Sequence, residues 1–237
     1  THQVVGVEWL TRREGEETAA GLWRWAAEHD AIATLEQWIL DHLRAWRQAE
    51  FGSVSALVWF INLHPHGVAR RVIHHFDAWK DQQRQLTPVV WELLESEGWT
   101  ADIIIRLAQA HSVLALDDWG NHRDTTSRLV TWPVQWVKLD ARLVQQLPHP
   151  AMRQWVETIQ AYHHHQRKYL VAEGVETPEQ WQIVQQLGIP YCQGFALAMP
   201  QPFRTVDWRE PTEDPQDSPP SHVDSEVASQ PNSREGV

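Results

Sequence analysis

Tyr169-Leu170-Val171-Ala172-Glu173-Gly174-Val175-Glu176-Thr177-Pro178-Glu179-Gln180 is the stretch whose reading decides the fold. Tyr169–Ala172 is a short apolar run of the kind that forms a buried strand, and it ends at a carboxylate, Glu173. Thr177-Pro178-Glu179-Gln180 then supplies an N-cap, a proline at the first helical position and an acidic first turn. That combination opens a helix, which ends near Gly188. The local order is strand, acid, helix.

The same order recurs outward along the chain. Val4–Val7 runs into Glu8, Leu57–Ile61 into Asn62, and Val89–Trp91 into Glu92. Val113–Leu116 runs into Asp117-Asp118, Trp136–Leu139 carries Lys138 and ends at Asp140, and Tyr191-Cys192 runs into Gln193. Between these runs, Leu22, Trp25 and Ala26, and then Ile32, Leu35, Trp38, Ile39, Leu43 and Trp46, recur at helical spacing. Further helices are expected from Val68 to Trp79 behind Pro65, over Trp99–Ala110 with Thr100 and Asp102 as caps, and over Ala151–His163.

Strands alternating with helices make a parallel sheet or barrel, whose C-terminal strand ends converge on one face. So many acids at one mouth repel unless cations sit between them, which points to a metal-dependent site. The count is seven strands where a closed (β/α) barrel needs about eight. The expectation is a TIM-like barrel incomplete or open at its N-terminal edge, its missing strand lying before Thr1.

The length of 237 residues suits one large α/β domain. A net charge of -11 argues against polymeric nucleic acid as a partner. More than half of that charge falls in residues 205–237, where eight acids face only Arg209 and Arg234. This Pro-, Ser- and acid-rich stretch reads as a disordered tail behind a barrel domain of residues 1–204. Cys192 is the only cysteine, so no intrachain disulfide forms, and a buried strand residue is the expected role. No apolar run reaches the roughly 18 residues of a membrane span, and the cytoplasm is the expected compartment. His163-His164-His165 reads as a solvated helix end rather than a metal tract. Most of the 15 tryptophans are expected to pack the barrel exterior.

Taken together, the motifs resemble the EAL domain family of bacterial cyclic di-GMP phosphodiesterases. Val171–Thr177 with Gln180 is similar to the family's AEGVET-x-x-Q signature, and Tyr191–Phe195 with Met199-Pro200 to its QGY-x-x-x-x-P segment. Asp117-Asp118-Trp119-Gly120 resembles DDFG, Val137–Asp140 the KxD strand, Trp91–Ser96 the ELTES segment and Phe60–Pro65 the VNLSP segment. Glu8-Trp9-Leu10-Thr11-Arg12 stands where the family has EALLR. Seven motifs in family order are far more specific than any one alone.

The resemblance implies two divalent cations, Mg²⁺ or Mn²⁺, with Glu8, Asn62, Glu92 and Asp117 around one, and Asp117, Asp118 and Glu173 around the other. It implies that Lys138 and Asp140 position the attacking water or tune its proton, and that Gln193 hydrogen-bonds at the metal site. Which of Lys138, Asp140 and Glu173 is the formal base stays open. Arg12 is the expected clamp on a substrate phosphate, with Leu10 and Glu95 also binding substrate. Implied partners are cyclic di-GMP, a second copy in a homodimer, and an upstream sensor or GGDEF-type domain.

The chain also departs from the family pattern. Asn121-His122-Arg123-Asp124-Thr125-Thr126 replaces a TGYSS-like loop that couples the metal site to the dimer interface, although Glu95, resembling the acid that anchors it, is retained. Trp9 replaces a small residue beside a metal ligand and is expected to narrow the guanine pocket. Three readings follow: hydrolysis of cyclic di-GMP to linear pGpG, a degenerate receptor or docking module with little hydrolysis, and a different metal phosphodiesterase on the same barrel.

Overall fold

A computed structural model of the chain describes residues 4–12, 19–50, 57–68, 89–94, 98–110, 112–121 and 126–201. Seven strands form one sheet: β1 (Gly6–Trp9), β2 (Val58–Leu63), β3 (Val89–Leu93), β4 (Val113–Trp119), β5 (Trp136–Leu139), β6 (Tyr169–Ala172) and β7 (Tyr191–Cys192). They lie in chain order, and every neighbouring pair is parallel. The sheet curls into a half-barrel with helices, so all C-terminal strand ends share one rim. Among the described residues β1 and β7 are free edges, as expected of a barrel seven strands wide.

The helices are α1 (Ala19–Glu28), α2 (Ile32–Glu50), the single turn α3 (Pro65–Gly67), α4 (Ala101–Gln109), α5 (Thr126–Thr131), α6 (Ala141–Gln145), α7 (Pro150–His165) and α8 (Pro178–Gln186). Two sequence-level caps take their expected form. The Thr100 hydroxyl accepts the Ile103 N–H at 3.3 Å and starts α4. Thr177 and Gln180 form a reciprocal capping box at the head of α8. The short helices α5 and α6 were not anticipated. Strands β1 to β4 run past the limits read from sequence, so Glu8, Asn62, Glu92 and Asp117 lie within strands rather than after them. Most of the predicted Val68–Trp79 helix, Glu95, the substituted loop at 122–125 and the tail lie outside the described residues.

The two faces of the sheet have different work. Trp59, Ile61, Leu63, Trp91, Leu93, Leu114, Leu116, Val137, Leu139 and Leu170 point outward and join the helix layer in one buried core. Val58, Val90, Ala115, Trp136 and Val171 point inward with Phe60 and Tyr191 to form an apolar floor. Burial on both faces is what a parallel sheet covered by helices demands. Trp136 organises the floor, meeting Phe60 edge-on at 5.2 Å and Tyr191 at 4.9 Å between ring centroids.

The His163–His165 tract splits. His164 and His165 are exposed, but His163 is fully buried, which corrects the solvated-terminus expectation for that residue. Neither of its ring nitrogens has a hydrogen-bond partner. Burial, reinforced by Lys168, lowers its pKa from 6.5 to about 4. The folded chain therefore holds the neutral ring while the unfolded chain takes up a proton. The resulting stability is complete above about pH 6.5 and is lost as pH falls toward 4. His163→Leu is expected to flatten that acid limb of a melting-temperature profile without lowering stability at pH 7, because it removes unpaired buried nitrogens. A profile parallel to that of the parent chain would contradict the assignment.

Candidate active site

Period-two alternation lifts a polar ring one step above the apolar floor. Val90 is followed two residues on by Glu92, Ala115 by Asp117, Trp136 by Lys138, Val171 by Glu173, Tyr191 by Gln193 and Phe60 by Asn62. Gly6 stands two residues before Glu8. A Cβ there would lie 2.8 Å from the Val58 carbonyl oxygen and 3.2 Å from the Phe60 ring, so glycine lets the floor close beneath Glu8.

At the centre of the ring is Lys138, 2 % exposed. Its Nζ lies 2.7 Å from Glu92 Oε1, 2.8 Å from Glu173 Oε1, 3.0 Å from Asp117 Oδ1 and 3.2 Å from Glu8 Oε2. Burial works against the ammonium, but Asp117, Glu173, Glu92 and Glu8 outweigh it and hold its pKa well above the usual lysine range. The carboxylates divide. Burial raises Glu92 well above its ordinary value and Glu173 to about 8, against the pull of Lys138. Burial also opposes the Glu8 charge, yet Lys138, Gln193 and Asn62 together lower its pKa. Gln193 Nε2 donates to Glu8 Oε2 and to Glu173 Oε1, each at 2.8 Å, and so bridges the two free edges of the sheet through side chains.

Adjacent strand residues ordinarily face opposite ways, so Asp117 and Asp118 need a local device to act together. The register between β4 and β5 shifts between Leu116 and Trp119, and Asp118 adopts φ +50°. A left-handed residue at an irregularity re-aims a side chain, and Asp tolerates it better than most. Ligand oxygens of Asp117, Asp118 and Glu173 consequently fall within 4.8 Å of one another. Gly194, at φ +153°, is equally constrained: a Cβ there would lie 2.3 Å from the Val175 backbone.

This donor set fits divalent cations. Four carboxylates meet one ammonium with Asp118 beside them, all candidate ligands are hard oxygens, and the buried Asn62 Oδ1 and Glu92 Oε2 have no hydrogen-bond partner. Glu8, Asn62, Glu92, Asp117, Asp118, Lys138, Glu173 and Gln193 are all brought to one rim. Asp140 directly follows β5, where its Oδ1 accepts the Arg142 N–H at 2.7 Å and caps α6, a role not read from the sequence. Leu10 and Arg12 follow β1 at the same rim and are exposed.

Trp9 corrects an expectation. Because Glu8 points inward, its neighbour points outward, and the Trp9 ring packs on the outer core 5.2 Å from Trp59. It does not narrow a pocket at the mouth. Trp9→Ala is accordingly expected to lower the melting temperature by removing core packing while leaving divalent-ion affinity within about twofold. A large affinity change by calorimetry would place the indole at the site instead.

Comparison with known proteins matches residues 1–200 to the EAL domain model. The chain is 27 % identical to the cyclic di-GMP phosphodiesterase PdeR of Escherichia coli strain K12 over 210 residues, covering 83 % of this chain and 31 % of that protein. It is 25 % identical to PdeF of the same organism over 186 residues, covering 75 % and 25 % respectively. It thus spans roughly a quarter to a third of these relatives' length. Among solved structures, the PaMucR phosphodiesterase in complex with c-di-GMP superposes with a TM-score of 0.69 at 24 % identity, over 84 % of this chain and 86 % of that one. The family match, the half-barrel and the ordered rim of acids agree, and the chain belongs to the EAL domain family.

Proposed function

We propose that the chain is a two-metal phosphodiesterase that hydrolyses cyclic di-GMP to linear pGpG. The observation that carries this reading is the convergence of Glu8, Glu92, Asp117 and Glu173 on one buried Lys138, with Asp118 swung to the same rim. Glu8, Asn62, Glu92 and Asp117 would hold one cation, and Asp117, Asp118 and Glu173 the other. When bound, Mg²⁺ or Mn²⁺ supplies Lewis acidity and a nucleophilic hydroxide at neutral pH. The ammonium of Lys138 orients the attacking water and stabilises developing negative charge. Gln193 fixes the Glu8 and Glu173 carboxylates, and Arg12 grips phosphate oxygens, with Leu10 and Glu95 also binding substrate. Asp140, two residues past Lys138, would help to position the water. The water oxygen bonds to phosphorus, the P–O3′ bond breaks, and the departing 3′ oxygen takes a proton.

The altered segment that starts at Asn121 favours a second reading, a cyclic di-GMP receptor with little turnover. An upstream sensor or GGDEF-type domain, a homodimer and a cytoplasmic setting belong to the proposal in either case. Among the described residues no helix is long and apolar enough to cross a membrane. Incubating purified chain with cyclic di-GMP and Mn²⁺ or Mg²⁺, then separating products, tests the proposal. Metal-dependent pGpG supports the enzyme; saturable binding without product supports the receptor.

A further inference from the structure

Glu36 lies outside the ring of site residues, on α2, and is 2 % exposed. Its Oε1 accepts the His64 N–H at 2.6 Å. Its Oε2 has no hydrogen-bond partner and rests against Gly67, where an added Cβ would fall within the carboxyl group itself. The missing side chain at 67 is what makes room for the carboxyl. From the α1 side, Trp23 stacks on the His64 ring at 6.2 Å and 14°. His64 in turn caps α3, its Nδ1 accepting the His66 N–H at 3.2 Å. The backbone leaving β2 is therefore held by a buried carboxyl and an indole, two residues past Asn62.

A carboxyl this buried is costly, and it persists where something is gained by it. We propose that Glu36 is a positioning residue for the divalent-ion site, holding the His64 peptide so that the Asn62 carboxamide stays against Glu8 with its oxygen turned to the cation. The proposal rests on the two-metal reading above. Asn62 hydrogen-bonds Glu8 and keeps a buried, unpartnered oxygen, so a small turn of the β2 end would disturb two ligands at once. Outer partners that orient ligands in this way commonly shift metal affinity by about 10- to 100-fold. Burial raises the Glu36 pKa to about 8, so glutamine is the near-isosteric replacement at neutral pH.

The test compares Glu36→Gln, Glu36→Leu and Gly67→Ala in the full chain. Mn²⁺ affinity is read by calorimetry, and exchange of the His64 amide by NMR without metal. Glu36→Gln is expected to keep Mn²⁺ affinity within about twofold. Glu36→Leu and Gly67→Ala are each expected to weaken it about tenfold and to speed His64 exchange. Gly67→Ala meets the Glu36 carboxyl before any other group, so it carries the test if Glu36→Leu does not fold. Parent-like affinity and exchange in these variants, or a lowered melting temperature alone, would overturn the proposal. If the parent chain takes no Mn²⁺, the two-metal reading fails by itself. Unchanged His64 exchange would then reject the positioning role separately.

Discussion

Lys138→Ala is expected to cut cyclic di-GMP hydrolysis by at least about 100-fold while leaving nucleotide binding close to that of the parent chain. The reason is geometric. Nζ contacts four carboxylates within 3.2 Å at the centre of the ring and is 2 % exposed, and among the described residues no other cation of the inward-facing set can take its place. On the proposed mechanism, removing it takes away the group that would orient water, whereas the exposed Leu10 and Arg12, the proposed nucleotide contacts, remain. It also strips the buried acids of their counter-charge, and breaking a buried ion cluster this way costs about 3–5 kcal/mol. Turnover and affinity must therefore be measured where the variant is folded, with saturating Mn²⁺. Parent-like turnover would make Lys138 a structural counter-ion only and would sink the mechanism.

The second large effect is on metal binding. Asp117→Asn is expected to weaken both divalent sites in a calorimetric titration, by about tenfold or more, because the same carboxylate touches Lys138 and lies with Asp118 and Glu173 inside one 4.8 Å cluster. Asparagine keeps the shape and one oxygen but removes the charge that two cations would share. Loss at a single site would show that Asp117 does not bridge, and parent-like affinity at both would remove it from the ligand set.

Much of this was legible beforehand, for identifiable reasons. A short apolar run such as Tyr169–Ala172, ended by a carboxylate and followed by a helix cap, reads as a strand, and its period-two continuation turns Glu173 inward with the other acids. The N-cap at Thr177 is local chemistry readable from sequence, and Gln180 completes it as a capping box. The bulk of Trp9 beside Glu8 suggests a place at the mouth, but alternation from Glu8 puts it on the opposite face. Asp118 was assigned to the mouth by resemblance; alternation alone would have turned it away, and only the register shift with φ +50° resolves the conflict. His163 looked solvated because its neighbours are polar. Glu36 carried no sequence signal, since its burial depends on a glycine 31 positions later, a relation that exists only after packing.

The Gln193 bridge bears on how the molecule assembles. Each strand pairs only with the strands before and after it in the chain, so the sheet can grow by successive short-range additions. The link from Gln193, just past the last strand, to Glu8 on the first instead spans 185 positions. Closing so long a loop is entropically the dearest contact in the site, and it is secured by one amide rather than by a backbone ladder. The contact that completes the rim therefore carries a larger closure cost than any strand pairing in the sheet. A ligand that grips both Glu8 and Glu173 would fasten the two ends of the sheet together and add its binding free energy to the stability of the half-barrel.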